Sequence, residues 1–293
     1  MRSFLFNILR LKLFVWSLFP LRLLYGISDF LFILVYYVVG YRKKVVRRNL
    51  ENSFPDKSPK EIRTLEKGFY RHFCDYMVET VKLMHISDKE MMKRFQFTNA
   101  DEMSEILKDG KPVFLMIGHY GNWEWIPSIT RWLPESLCLA QIYRPLSNPA
   151  ADKFFLKLRS RFGSFGIPKN DTLREIIRLR KEGKQIMIGF IADQTPSKNN
   201  IHYWMQFLNQ ETAPLTGAEK IGRKIDANII FLDVRKVKRG YYEATFKVIS
   251  RDAKNTAEFE ITEAYMHLME QMIRRAPQYW LWTHKRWKHK REA

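Results

Sequence analysis

Short apolar runs separated by helix-patterned stretches predict an α/β fold with a mixed, largely parallel sheet flanked by helices. Two observations carry most of this. Val113–Ile117 and Ile186–Ile191 are unbroken apolar runs bounded by turn residues, as strands buried on both faces are. Both then open into polar loops, the place where open α/β sheets hold ligands. Two further runs, residues 229–234 and 244–248, read as strands joined by the turn-like Lys238-Arg239-Gly240, and residues 139–142 as another. Between them, helical spacing marks residues 148–162, 172–182 and 216–224, with a last helix near 260–275. A longer helix over 60–83 places Ile62, Leu65, Phe69, Phe73, Tyr76 and Val81 at three- and four-residue steps. Ser58-Pro59-Lys60-Glu61 starts it, with a cap serine and a proline in the first turn.

The N-terminal forty residues have a different character. Residues 23–41 are predominantly apolar and carry one charge, Asp29. As a helix they would cover roughly 28 Å, close to the ~30 Å hydrocarbon core of a bilayer. Arg42, Lys43, Lys44, Arg47 and Arg48 follow at once, so the positive-inside rule places what comes after in the cytoplasm. The preceding piece mixes Arg2, Arg10, Lys12 and Arg22 with Phe4, Phe6, Leu9, Phe14 and Trp16, the composition of an interfacial helix. A transmembrane helix and a shallow in-plane anchor are both open on these residues, since Asp29 is costly in hydrocarbon. No small-residue cleavage site follows, which argues against a removed signal peptide.

Fifty Lys and Arg against 31 Asp and Glu give a formal charge of +19, so anionic partners are expected. Basic residues are spread without a base-reading motif, which argues against nucleic acid. Cys74 and Cys138 lack metal or redox spacing and read as structural thiols, so no metal site is expected. Near the C-terminus Arg286, Lys288, Lys290 and Arg291 interleave with Trp280, Trp282 and Trp287, as an interfacial patch does.

Three strand ends carry polar clusters: Gly118-His119-Tyr120-Gly121-Asn122-Trp123-Glu124, then Tyr143-Arg144-Pro145, then Ala192-Asp193-Gln194. Together they form one expected cleft. If the chain turns helical at Tyr120, His119 and Glu124 meet on one face. A carboxylate on one ring nitrogen fixes the tautomer and leaves the other nitrogen free to take a proton.

The segment from Gly118 to Glu124 resembles the G-H-[FY]-G-N-W-E signature of the lipid A biosynthesis (late) acyltransferases, within the lysophospholipid/glycerolipid acyltransferase superfamily. Four other islands follow that family's order: residues 47–55, Tyr143-Arg144-Pro145 with Asn148-Pro149, Ala192-Asp193-Gln194, and residues 282–288. Phe207-Leu208-Asn209 departs from the family's F-F-G, and Glu124 with no E-G-T-R block points away from phosphatidic acid synthesis.

The resemblance implies a glycerolipid acyltransferase-like fold, with a membrane anchor over residues 1–45 and an acyltransferase domain over 46–293. It implies acyl transfer from acyl carrier protein to a hydroxyl of a lipid A precursor, without cofactor, at the cytoplasmic face of a bacterial inner membrane. An aminolipid, a glycolipid or a lysophospholipid is the alternative acceptor. His119 is expected as general base, oriented by Glu124, with backbone amides at Gly121 and Asn122 facing the oxyanion. Arg144, Asn148, Asp193 and Gln194 are expected to contact substrate, Arg144 as the phosphate or carbonyl partner.

Overall fold

The computed structural model describes residues 2–291. The side chains of Arg2, Phe4, Phe6 and Leu9, expected on an interfacial helix, lie outside the described ones. Helix α1 (Arg2–Leu18) leads into α2 (Leu21–Ile33), which continues as a π-helical turn over Leu34–Val39. Gly40, left-handed at φ 63°, ends it. Then come α3 (Lys43–Ser53) and the 24-residue α4 (Pro59–Lys82). Helix α4 begins with the expected cap: Ser58 and Glu61 bond reciprocally in a capping box.

A seven-stranded sheet follows, formed by β1 (Phe95–Phe97), β2 (Val113–Ile117), β3 (Cys138–Tyr143), β4 (Phe165–Pro168), β5 (Ile186–Ile191), β8 (Asn228–Lys238) and β9 (Tyr241–Ser250). Its order is β1-β9-β8-β2-β5-β3-β4, parallel at every pairing except the β8–β9 hairpin. The expected strands are therefore present, and the hairpin turns at Arg239-Gly240 as its sequence suggests. Helices α5 (Asp88–Arg94), α6 (Ala100–Leu107), α7 (Pro149–Arg159), α8 (Thr172–Lys181), α9 (Gly217–Ile225) and α10 (Glu260–Arg275) complete the layers. The central strands β2 and β5 are buried almost throughout, which is why they carry no polar alternation. Leu21, Leu24, Phe32 and Tyr36 of the N-terminal helices belong to the same hydrophobic cluster as the sheet.

A small hairpin, β6 (Met205–Phe207) with β7 (Gln210–Thr212), turns through Leu208 and Asn209, both left-handed at φ 50° and 58°. Asparagine tolerates that region better than most residues. Its side chain also donates to Ser53 O, so the departure from F-F-G keeps the turn.

The expected interfacial tryptophan patch is corrected. Trp280, Trp282 and Arg286 are all buried, with Trp280 packed on Trp282, Phe207 and Trp287. Trp280 and Trp282 are core residues, and Trp287 is half-buried against them.

Candidate active site

Strands β2 and β5 are parallel neighbours, paired so that Ile117 stands opposite Ile191. Two residues beyond each stand His119 and Asp193, and they meet. His119 Nδ1 lies 2.7 Å from Asp193 Oδ1, and the His119 backbone N–H donates to Asp193 Oδ2 at 2.9 Å. Trp280 Nε1 donates to the same Oδ2 at 2.8 Å. Asp193 is 1% exposed. Burial alone would raise its carboxyl, but the charge and hydrogen bonds of His119, with that of Trp280, outweigh it and hold the pKa at about 2. With an ionised Asp193 accepting from Nδ1–H, the imidazole presents Nε2 as its free base.

This overturns the expected orientation of His119 by Glu124. The chain does not turn helical at Tyr120. Instead His119 to Gly121 pairs with a C-terminal strap: Leu281 N–H donates to His119 O, Gly121 N–H to Tyr279 O, and Tyr120 bridges Trp280. Gly121 is left-handed at φ 60°, and the 3-10 helix starts only at Trp123. Glu124 is thereby turned to Arg159 of α7, which grips it bidentately at 2.8 and 2.6 Å. A Cβ at Gly118 would sit 2.3 Å from Met269 Cε, so a larger residue there would have to push the end of that buried α10 side chain aside.

The oxyanion expectation at Gly121 is corrected as well, because its N–H is already bonded to the strap. Asn122 is fully buried, and its side-chain amide donates to Glu79 at 2.7 Å. Glu79, on α4, also accepts from Tyr242 and Tyr25, and its backbone carbonyl accepts from Trp125 Nε1. Beside it, His72 Nε2 donates to Gly121 O while Nδ1 accepts from Lys236. Burial and the Lys236 charge keep the His72 pKa well below its ordinary value, so it is neutral at pH 7. The loop that follows His119 is therefore pinned by α4.

Two adjoining cavities open at this point. An inner one of about 260 Å³ runs between β2, β5 and β3, lined by apolar groups including Ile117, Ile129, Leu139 and Gly189. An outer one of about 340 Å³ is lined by Tyr76, Phe155, Leu156 and Leu281. His119, Trp123, Glu124, Tyr143, Arg144 and Arg159 line both. The three strand ends do converge, and Gln194 lies beside the ring, its Nε2 3.3 Å from His119 Nε2. Arg144 is exposed at the shared mouth, with no ion-pair partner among the described residues. Asn148 is not at the cavities: its Oδ1 caps α7, accepting from Ala150 and Ala151 N–H. It is a helix cap here.

Residues 2–289 match a family model described as bacterial lipid A biosynthesis acyltransferase. The chain belongs to that family. It is 25% identical to the lipid A biosynthesis palmitoleoyltransferase of Escherichia coli K12 over 251 residues, which span 84% of this chain and 79% of that one. A lipid A biosynthesis acyltransferase of Shigella flexneri matches with the same figures. The E. coli lipid A biosynthesis lauroyltransferase is 21% identical over 253 residues, 86% and 81% of the two chains. The chain is thus an acyltransferase.

Sequence reasoning missed Asp193 as the imidazole's partner, and it missed Arg159 and Glu79 altogether. Glu79 had a signal: an acid three residues after Tyr76 and two before Val81, in the apolar helical register of α4. Arg159, one basic residue among several on α7, had none.

The Asp193 pKa has a stability consequence in this acyltransferase. A carboxyl held at about 2 stabilises the fold above its unfolded value near 4, and that contribution is lost as pH falls from about 4 to about 2. The shift corresponds to about 2 kcal/mol. Chemical-denaturation curves across this window are expected to show a steeper loss of stability in the native chain than in Asp193→Asn. Parallel losses would refute it.

Proposed function

We propose that this acyltransferase carries a fatty acyl chain from an acyl carrier protein thioester to a hydroxyl of a lipid A precursor, as a secondary acylation. The observation that supports it most is His119, paired with Asp193, on the shared lining of a cavity with a largely aliphatic wall and a more open one, with exposed Arg144 at their common mouth. The acyl chain enters the inner cavity, and the acceptor approaches through the outer one, with Arg144 on its phosphate. Acyl carrier protein is acidic, and the net charge of +19 favours its approach.

His119 Nε2 takes the proton of the acceptor hydroxyl as the oxygen attacks the thioester carbonyl. Asp193 holds the ring and stabilises the imidazolium. The tetrahedral intermediate expels the carrier thiolate, which takes the proton back from His119, giving an ester and a free thiol. Gln194, whose amide already lies beside the ring, donates to the oxyanion in place of the Gly121 amide. Glu124, neutralised by Arg159, walls the junction and positions the acceptor. A thioester is already activated, so the reaction needs no cofactor. It takes place at the cytoplasmic face of the inner membrane, where both substrates meet.

Mass spectrometry of lipid A from cells with and without this chain tests the reading. One acyl chain fewer per molecule in its absence is the expected result; an unchanged lipid A would sink it. In vitro, transfer from acyl carrier protein rather than coenzyme A is expected.

The inner cavity offers a separate test. Gly189 lies on its lining, and a Cβ there would stand 3.7 Å from Ile117 Cδ1, an ordinary contact. Gly189→Ala is therefore expected to be accepted, whereas Gly189→Val fills part of the cavity. The valine variant should transfer shorter chains, read by competition between acyl donors of different length. Unchanged chain preference would remove Gly189 from the acyl pocket.

A further inference from the structure

The segment Leu21–Val39 is long and apolar enough to cross a membrane, the only such helix among the described residues. Its contacts say otherwise. Leu21, Leu24, Ser28, Phe32 and Tyr36 recur at three- and four-residue steps and are buried against the rest of the protein. Leu23, Phe30, Ile33 and Tyr37 occupy the opposite face and are 51–60% exposed. On α1, Leu11, Phe14, Val15 and Leu18 form a second exposed apolar stripe. Each helix is thus one-sided, with an unpartnered apolar face.

The inner face of α2 is fastened by polar bonds. Tyr25 donates to Glu79, Ser28 to Asp75 and Tyr36 to Glu66, at 2.9, 2.8 and 2.8 Å, in the falling register of two antiparallel helices. Arg239, at the β8–β9 turn, bonds Asp29 and Asp75 together. Lys82 on α4 holds the end of α1 through Ser17 O and Phe19 O.

A spanning α2 would therefore draw α4 into hydrocarbon along with it. Helix α4 exposes Lys60, Glu61, Arg63 and Arg71, and charges of this kind are costly in hydrocarbon. Through His72 and Glu79 it also holds the loop that follows His119. Peeling α2 away instead would strip Glu66, Asp75 and Glu79 of donors.

We propose that α1 and α2 lie together in the plane of one leaflet, as an interfacial anchor on an anionic lipid surface, and that the chain does not cross the bilayer. Apolar faces on both helices enter the acyl boundary, and exposed Arg10, Lys12, Arg22, Arg42 and Lys44 meet the headgroup charge. Helix α1 also packs on α7, a wall of the outer cavity, which brings the cavity mouth to the lipid surface. A lipid acceptor then reaches His119 without leaving its leaflet.

The two topologies differ in where the ends of α2 emerge. In the full chain carrying Cys74→Ala and Cys138→Ala, Lys12→Cys and Lys44→Cys are introduced separately. Each is probed with a membrane-impermeant maleimide in sealed inverted vesicles and in spheroplasts. Both are expected to react in inverted vesicles and to be protected in spheroplasts. Reaction of the two from opposite sides overturns the proposal. A second measurement uses purified protein and vesicles containing phosphatidylglycerol. The triple variant Leu23→Gln, Phe30→Gln, Tyr37→Gln should float with them at least tenfold less than the native chain, with the same melting temperature. Native-like flotation would also overturn it. Neither readout depends on turnover, so either can fail while the acyl-transfer reading stands.

Discussion

Asp193→Asn is expected to lower kcat by about 10³–10⁴-fold with little change in KM, a loss of about 4–5.5 kcal/mol of transition-state stabilisation. An asparagine can still accept the His119 backbone N–H. It supplies no negative charge to the imidazolium, and its amide is free to turn a donor toward Nδ1. The ring then settles with its proton on Nε2, the nitrogen that must be the base. His119→Ala should lose at least as much. Glu124→Gln is the informative companion, because Glu124 is bonded to Arg159 and lies apart from the ring. That variant is expected to destabilise the fold and raise KM, since it leaves Arg159 without its counter-charge. Steady-state assays with acyl carrier protein thioester separate the two. If Glu124→Gln shows the large kcat loss and Asp193→Asn falls within tenfold of the native enzyme, Glu124 is the orienting carboxylate after all.

The second large effect is on stability. Glu79→Leu removes the acceptor for Tyr25, Asn122 and Tyr242 at once, three donors in a buried setting. The expected cost is about 3–5 kcal/mol, or a fall of about 10 °C in Tm for a chain of this size. Activity should fall with it, because Asn122 sits one residue from the loop's left-handed turn. Glu79→Gln keeps an acceptor for most of these donors and should lose only about 1 kcal/mol. Burial raises the Glu79 carboxyl above its ordinary value, against the pull of Lys236. Thermal melts in detergent decide this. A Glu79→Leu chain as stable as the native one would mean that water serves those donors equally well.

The sequence showed which residues end the strands, and it could not show which strands are neighbours. His119 and Glu124 are close in the chain, and that closeness suggested a pair. What joins His119 to Asp193 is the register of β2 on β5, with Ile117 opposite Ile191. Each run is visible in sequence as a buried strand, but their adjacency is a property of sheet order. The short strands β1 and β4 escaped notice for a different reason. At three and four residues they are too short for any periodicity to register. The tryptophans near the C-terminus misled because aromatic residues among lysines read alike at a membrane surface and in a core. Only packing separates the two.

The strap from Tyr279 to Leu281 sets an order of assembly. A nascent chain that has reached Arg275 already contains every sheet strand, both cavities' principal walls and His119. It lacks the backbone partners of His119 and Gly121 and the indole that steadies Asp193. During synthesis the surroundings of His119 are therefore the last part of the site to be completed. An unfinished or clipped chain would lack every one of these contacts, and Asp193 would keep only its bonds to His119.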